Sequence, residues 1–114
     1  MTETLRHYVT LYVPQNTRVG YATYKEAAKD FAEFAGGATV TRGEGWWKGK
    51  QELVSMVKSF VGMDDLYQLE IIAKGWARKL IDMGEETVAI ESSYRGVTVF
   101  DLYTAEDLKY VGKQ

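Results

Sequence analysis

The sequence has no cysteine and only one histidine and one proline. The absence of cysteine excludes disulfide bonds, thiolate metal sites and cysteine nucleophiles, and it fits a reducing compartment. His7 has neither a cysteine nor a second histidine with which to share a zinc ion, so we expect no metal site there. Serine nucleophiles need a positioned base, and a single imidazole near one end of the chain gives little support for acyl transfer.

Long apolar runs and an excess of positive charge are also missing. No stretch approaches the roughly 18 to 20 apolar residues that a membrane-spanning helix needs, and residues 1–7 lack the apolar centre of a signal peptide. We therefore expect a cytoplasmic protein with no membrane partner. The formal net charge is -2, whereas nucleic-acid binders usually carry an excess of Lys and Arg, so nucleic acid is not an expected partner.

The composition that remains is that of an ordinary globular protein. The chain of 114 residues is long enough to bury a core, and neither a linker nor a low-complexity segment divides it. We expect a single domain over residues 1–114.

The chain begins with a predicted strand. Residues 8–13 alternate between aliphatic side chains and tyrosine or threonine, as a strand with one buried face does, and Pro14 ends it. The polar residues 15–20 predict a loop.

A helix follows the loop. Thr23 and Glu26 are spaced as a capping box, and Gly36 or Gly37 supplies the positive φ that a helix end favours. Apolar residues at helical spacing predict its buried stripe, which consists of Tyr24, Ala27, Ala28, Phe31, Phe34 and Ala35.

Two further strands are predicted at 38–47 and 53–61, joined by a hairpin connection at 48–51. The glycines at positions 43 and 45 predict a bulge in the earlier strand or the close approach of another group. The later strand is apolar on both faces: Leu53, Val57 and Val61 lie on one side, and Val54, Met56 and Phe60 lie on the other. A partner chain or the C-terminal segment is therefore expected to cover its second face.

The remaining pattern predicts a helix from Gly62–Asp65 to Gly84, strands at 87–92 and 97–103, and a short helix from Thr104. The stripe of the long helix consists of Leu66, Leu69, Ile72, Ala73, Trp76, Leu80 and Met83. The order of elements indicates a ferredoxin-like βαββαβ α+β fold, with two helices on one face of an antiparallel sheet and an extra C-terminal strand and short helix. The first and third strands are predicted to be central.

The candidate binding site is the hairpin, which combines two indoles with three cations. Trp and Arg are favoured anchors of interfaces, and aromatic rings flanked by cations can stack bases. The candidate residues are Arg42, Glu44, Trp46, Trp47 and Lys48. In the alternative, adjacent tryptophans point to opposite faces of the strand, so that one belongs to the core.

The remaining motifs give weaker support for a binding or catalytic role. Residues 43–45 superficially resemble a phosphate loop, but they lead into a strand and lack the Lys-Ser/Thr ending. The acids at 64–65, 85–86 and 91 could hold Mg²⁺, although helix capping or a solvated strand edge explains each of them more simply. We predict no catalytic residue, no metal and no cofactor.

Four motifs resemble those of a group of small uncharacterised proteins from phages, plasmids and actinobacterial or archaeal genomes. They are Tyr12-Val13-Pro14, Gly36-Gly37-Ala38-Thr39, Gly43-Glu44-Gly45-Trp46 and Glu52-Leu53-Val54, and Glu85-Glu86-Thr87-Val88 differs from the pattern only in replacing a glutamine by Glu85. The resemblance implies a ferredoxin-like α+β fold and a mobile-element setting, and it transfers no activity.

Two functional hypotheses follow. In the first, the protein is a non-enzymatic interaction or accessory protein of a phage or plasmid, with an anti-defence role, a host protein partner and a homodimer formed through the open sheet face. In the alternative, it binds a small ligand or nucleotide in a pocket at the tryptophan hairpin or dimer seam, with Tyr8 and Tyr12 among the contacts. A third hypothesis, RNA binding, lacks the basic and aromatic pattern that such modules carry.

Overall fold

The computed structural model describes residues 4–15 and 23–111. Most of the predicted loop at 15–20 lies outside the described residues. The elements are β1 His7–Pro14, α1 Thr23–Ala35, β2 Thr39–Trp47, β3 Lys50–Val61, α2 Met63–Asp82, β4 Val88–Tyr94 and β5 Val97–Tyr103.

The strands form one five-stranded antiparallel sheet in the order β2-β3-β1-β4-β5. The predicted α+β class is therefore confirmed, and both β1 and β3 have a neighbour on each side. Helix α1 packs against β3, and α2 packs against β1 and β4, so the helices cover one face of the sheet. We call the opposite face the open face. Neither of the two described helices is long and apolar enough to cross a membrane.

The core lies between the sheet and the two helices. The aliphatic side chains of β1 at Val9, Leu11 and Val13 are fully buried, which follows from the alternation seen in the sequence. Trp76 of α2 is 5% exposed, and its indole Nε1 donates a hydrogen bond of 2.8 Å to Asp30 of α1. This bond satisfies the one polar atom of the buried ring and ties the two helices together.

Backbone conformation explains where α1 and α2 end. Gly36 has φ +88° and Gly84 has φ +113°, a region that costs glycine little. Phe34 and Met83, both expected in the buried stripes, are instead 36% and 42% exposed. Both lie in the last turn of a helix or just beyond it, past the reach of the sheet.

The β2–β3 hairpin is tighter than predicted and has no bulge. Lys48 and Gly49 both have positive φ, as a two-residue type I′ turn requires, so β3 begins at Lys50. The pairing runs without interruption from Thr39 opposite Lys58 to Trp47 opposite Lys50. The prediction of a bulge is therefore wrong. The alternative, the close approach of another group, holds at Gly43, where a Cβ would lie 3.1 Å from the Met56 side chain.

The two faces of β3 also differ from the prediction. Its helix-side residues are buried and its open-face residues are only partly covered or exposed. Leu53, expected on the same face as Val57 and Val61, is 55% exposed because it lies beyond the helices at the start of the strand. The buried residues are Ser55, Val57, Ser59 and Val61, and the open-face residues are Val54, Met56, Lys58 and Phe60.

The predicted C-terminal helix is a series of turns over residues 105–111. Thr104 and Asp107 do bond reciprocally, with the Thr104 amide donating to Asp107 at 2.8 Å and the Asp107 amide donating to Thr104 at 3.4 Å. Leu108 is fully buried in the core, and Arg78 of α2 donates to its carbonyl oxygen at 2.7 Å. The described part of this segment therefore packs beside α2 and does not cover the open face.

We expect Leu108→Ala to destabilise the protein by about 2 to 5 kcal/mol, because it removes a fully buried leucine and leaves a cavity. Urea unfolding followed by tryptophan fluorescence measures the change. Tyr110→Ala is the matched control from the same segment, since Tyr110 is 75% exposed. Equal stability of the two variants would show that the segment does not belong to the core.

Candidate functional site

A cavity of about 570 Å³ opens on the open face, at the end of the sheet that carries the β2–β3 turn. Residues of all five strands and of the α2–β4 connection surround it. The lining side chains on which the following paragraphs draw are Tyr12, Glu44, Trp46, Trp47, Glu52, Val54, Met56, Glu85, Glu86, Ala89, Phe100 and Leu102.

Small residues at open-face positions create the hollow. Gly43 pairs with Val54 and Gly45 pairs with Glu52, so β2 places no side chain over these two residues. Ala89 on β4 likewise adds little bulk to the floor. The glycines predicted to distort the strand therefore leave room above a regular one.

Both tryptophans of the hairpin are exposed, Trp46 by 69% and Trp47 by 44%. The alternative in which one of them belongs to the core is therefore wrong. The register explains this result, because the two residues pair with Gln51 and Lys50 at the turn, beyond the ends of the helices. Both residues belong to the cavity lining, but the register directs their side chains to opposite faces: Trp47 shares the open face with Gly43 and Gly45, and Trp46 has the same parity as Arg42.

Four glutamates, at positions 44, 52, 85 and 86, also line the cavity. Burial raises the pKa of Glu52 above its usual range, and the negative charge of Glu85 adds to the rise. The Lys48 ammonium lies 3.9 Å from the Glu86 carboxylate, with both side chains mostly exposed, so this pair contributes little to stability. Among the described residues, no group of three or more acidic or histidine side chains converges as a metal site would.

The two tyrosines predicted for the site meet at a carboxylate that the sequence reading did not select. The Tyr8 hydroxyl donates to Glu91 Oε2 at 2.7 Å, and the Tyr12 hydroxyl lies 3.5 Å from Oε1. The hydrogen bond to Glu91 raises the pKa of Tyr8, whereas burial is the main cause of the raised pKa of Tyr12. Tyr12 also contacts the edge of Phe100, with ring centroids 5.5 Å apart, and so forms part of the cavity wall.

Arg42 lies away from the cavity. Its guanidinium donates to the Tyr24 hydroxyl at 2.5 Å and lies 5.2 Å from the centroid of that ring, on the helix side of the sheet. His7 is at the opposite end of β1, where its Nδ1 accepts a hydrogen bond of 3.3 Å from the Arg95 amide.

The structure thus brings together most of the candidate binding residues. Tyr12, Glu44, Trp46 and Trp47 line the cavity. Lys48 lies beside Glu86, which also lines it, and Tyr8 donates a hydrogen bond to Glu91 next to it. Arg42 lies elsewhere, against Tyr24. The sequence reading missed Glu52 and Phe100. Both occupy open-face positions of their strands: Glu52 pairs with Gly45 of β2, and Phe100 pairs with Glu91 of β4. The predicted homodimer through this face stays a prediction.

Comparison with known proteins adds a structural likeness. No protein-family model and no curated protein sequence matches the chain, so the resemblance to small phage and plasmid proteins also stays a prediction. Two solved structures of a phage SAM lyase share the fold, one in the apo state and one in complex with S-methyl-5'-thioadenosine. Each has a TM-score of 0.63 and 17% sequence identity, and the match covers 93% of this chain and 97% of the other.

This likeness overturns the non-enzymatic role in the first functional hypothesis. The sequence favours a non-enzymatic accessory protein because the third strand is apolar on both faces and the aromatic hairpin resembles an interface. The protein that has this fold in both solved structures is an enzyme. The expectation of a non-enzymatic role is therefore corrected.

Proposed function

We propose that the protein is a lyase that cleaves S-adenosylmethionine (SAM) and releases S-methyl-5'-thioadenosine. The observation that carries the proposal is the cavity of about 570 Å³, which combines aromatic walls with carboxylates. The fold shared with a phage SAM lyase that has been solved with S-methyl-5'-thioadenosine supports it.

The size and walls of the cavity suit a nucleoside. Ligand pockets commonly enclose about 300 to 1,000 Å³ and are lined by aromatic and aliphatic side chains with a few polar groups. Trp47 and Phe100, both at open-face positions, supply flat surfaces on which an adenine ring can stack. Val54 and Leu102 supply the aliphatic contacts that a methylthio group prefers.

The charges of the cavity suit the sulfonium of SAM. A sulfonium is a permanent cation, and both indole faces and carboxylates attract cations. We assign this recognition to Glu52, because it lines the cavity opposite Gly45, where no side chain of β2 covers it. Partial burial there raises its pKa. The neutral product loses this attraction, so the same carboxylate favours the release of S-methyl-5'-thioadenosine.

The reaction breaks the bond between sulfur and the γ-carbon of the methionine part. Its electron pair stays on sulfur, and the sulfonium becomes a neutral thioether. The four-carbon fragment then forms one of two products. Either it loses a β-proton to water or to a carboxylate of the cavity and becomes an alkene, or its own carboxylate bonds to the γ-carbon and forms a lactone. Because attraction to the sulfonium is strongest in the substrate, Glu52 contributes to binding and selectivity more than to the rate of this step.

The proposal also covers the biological role of the protein and the topology of its sheet. We infer a phage-encoded enzyme with an anti-defence role, acting on host machinery by removing the methyl donor that host methyltransferases need. We also infer that the sheet is a ferredoxin-like arrangement enlarged by one strand, since β5 adds to the edge formed by β4. The second candidate, a binder of purine nucleosides without catalysis, rests on the same cavity.

We expect the purified protein to convert SAM to S-methyl-5'-thioadenosine, as measured by liquid chromatography with mass spectrometry, which also identifies the four-carbon product. Gly45→Val should abolish conversion, because a Cβ there meets its neighbours at ordinary distances of 3.7 and 3.8 Å while the added methyl groups fill the cavity. Gly75→Ala, where an added Cβ meets nothing within 4 Å, is the matched control and should stay active. Binding of the thioadenosine without conversion of SAM would favour the second candidate.

The role of Glu52 predicts a pH dependence. SAM should bind more tightly than S-adenosylhomocysteine, which lacks the sulfonium charge, and this preference should fall by about tenfold as Glu52 is protonated. The raised pKa of Glu52 places the fall at a higher pH than an ordinary glutamate would. Isothermal titration calorimetry across the acidic range measures it, and Glu52→Gln should show neither the preference nor its pH dependence. A wild-type preference that does not change with pH would contradict the assignment.

The same carboxylate predicts a stability effect without any ligand. A pKa raised in the folded state favours folding at low pH, and this contribution is lost as pH rises through the interval between the unfolded and folded pKa values. Glu52→Gln should therefore melt at a slightly higher temperature than the wild type at neutral pH. The difference should disappear below the ordinary glutamate pKa of 4.5, as differential scanning fluorimetry can show.

A further inference from the structure

The β2–β3 hairpin extends beyond the rest of the sheet. The last pair between β1 and β3 joins Pro14 to Val54, whereas β2 and β3 continue to pair as far as Trp47 opposite Lys50. We call residues 44–53 the arm. In the part of the chain that the structure describes, only β2 and β3 contribute strands to the arm, so it is a two-stranded ribbon.

The side chains of the arm pack only loosely against the rest of the protein. Trp46, Trp47 and Leu53 are exposed by 69%, 44% and 55%. A two-stranded ribbon without a packed face is at best marginally stable by itself. Gly43 at the base of the arm and Gly45 within it add no side chains to hold it down, and glycine weakens a strand. The arm is therefore the part of the sheet that moves most easily.

Polar contacts hold the arm at its base and at its tip. At the base, the Gln15 amide donates a hydrogen bond of 2.7 Å to the Leu53 carbonyl oxygen. At the tip, the Lys48 ammonium lies 3.9 Å from the Glu86 carboxylate, and the two side chains are 73% and 84% exposed. Because so exposed an ion pair contributes little to stability, the contact at the tip can break and re-form at small cost.

Repulsion between two carboxylates opposes this contact across the cavity. Glu52 lies on the arm, Glu85 lies on the α2–β4 connection, and both line the cavity. The charge of Glu85 adds to the rise in the pKa of Glu52, so the ionised forms of the two side chains repel each other. A cation placed between them replaces this repulsion by two attractions.

We propose that the arm is a lid, which opens to admit a ligand and closes when a cation lies between Glu52 and Glu85. This closure rests on the proposed lyase function, since the sulfonium of SAM supplies the cation, and it adds Glu85 as a second residue that selects the substrate. A cation that interacts with both carboxylates only in the closed state shifts the equilibrium toward that state. The neutral product restores the repulsion, so the lid opens for its release.

The absence of cysteine allows the position of the lid to be measured directly. Gln51→Cys on the arm and Met83→Cys beside the end of α2, both at exposed positions outside the cavity lining, can each carry a spin label. Double electron–electron resonance should give a broad range of distances without ligand. Sinefungin, which has a protonated amine in place of the sulfonium and cannot be cleaved, should narrow this range to its short end. S-Adenosylhomocysteine, whose sulfur is neutral, should leave it broad.

Glu85→Gln tests both effects of the charge. Without the repulsion, the labelled variant should show the narrow, short range of distances even when no ligand is bound. Without the second attraction, its preference for sinefungin over S-adenosylhomocysteine should fall by about tenfold, as measured by isothermal titration calorimetry. Asp82→Asn is the matched control, since it removes one negative charge at the end of α2, outside the cavity lining, from a side chain that is 63% exposed. It should behave as the wild type in both measurements.

Two results would each overturn the lid. One is a wild-type range of distances that sinefungin does not change, and the other is a Glu85→Gln variant that keeps both the wild-type distances and the wild-type preference. Conversion of SAM by the same wild-type protein would show that the lyase proposal stands in either case. Wild-type protein that neither binds sinefungin nor converts SAM would overturn both proposals.

Discussion

The sheet is covered by helices on one face only, and every feature of the candidate site depends on this. Burial of Val9, Leu11 and Val13 against α2 fixes the register of β1, since a shift by one residue would expose all three. The same register places Tyr8 and Tyr12 on the open face. A core requirement on one side thus determines which side chains are available on the other.

The cavity forms because several open-face positions carry small residues. In a sheet with a solvated face, long polar side chains usually cover the strands, and here Gly43, Gly45 and Ala89 leave a hollow. The type I′ turn at Lys48 and Gly49 keeps β2 and β3 in uninterrupted register, so Trp47 at its end lies on the open face beside the hollow. A bulge would have turned alternate residues of β2 to the other face and filled it.

Much of the fold could be predicted from the sequence because its signals are local. Alternation identified β1, the Thr23 capping box identified the start of α1, and Gly36 identified its end. The exposure of Leu53 could not be predicted in this way, because it depends on where the helices stop covering the sheet. The turns after Thr104 have helix-start chemistry, but burial of one leucine does not compensate for propagating a short helix.

Only some residues of the candidate site could be identified from the sequence. Tyr12 and the tryptophans stand out as large aromatic residues at strand and turn positions, whereas a glutamate on a strand resembles a solvated edge. What distinguishes Glu52 and Glu91 is a partner from a distant part of the chain: Glu85 beside the first, and Tyr8, 83 positions away, beside the second. Such pairs form only when β1, β3 and β4 lie side by side.

A carboxylate kept partly from water costs the folded protein stability, and nothing in the core requires Glu52 to be where it is. Its pKa is raised by burial and by a like charge, so its neighbours disfavour its ionised form. Lys48, which could offset this charge, lies with Glu86 on the exposed rim instead. A surplus of negative charge beside aromatic rings is unfavourable in the empty cavity and becomes favourable when a cation enters. This asymmetry is the property that a site for a sulfonium substrate needs and that a site for its neutral product does not.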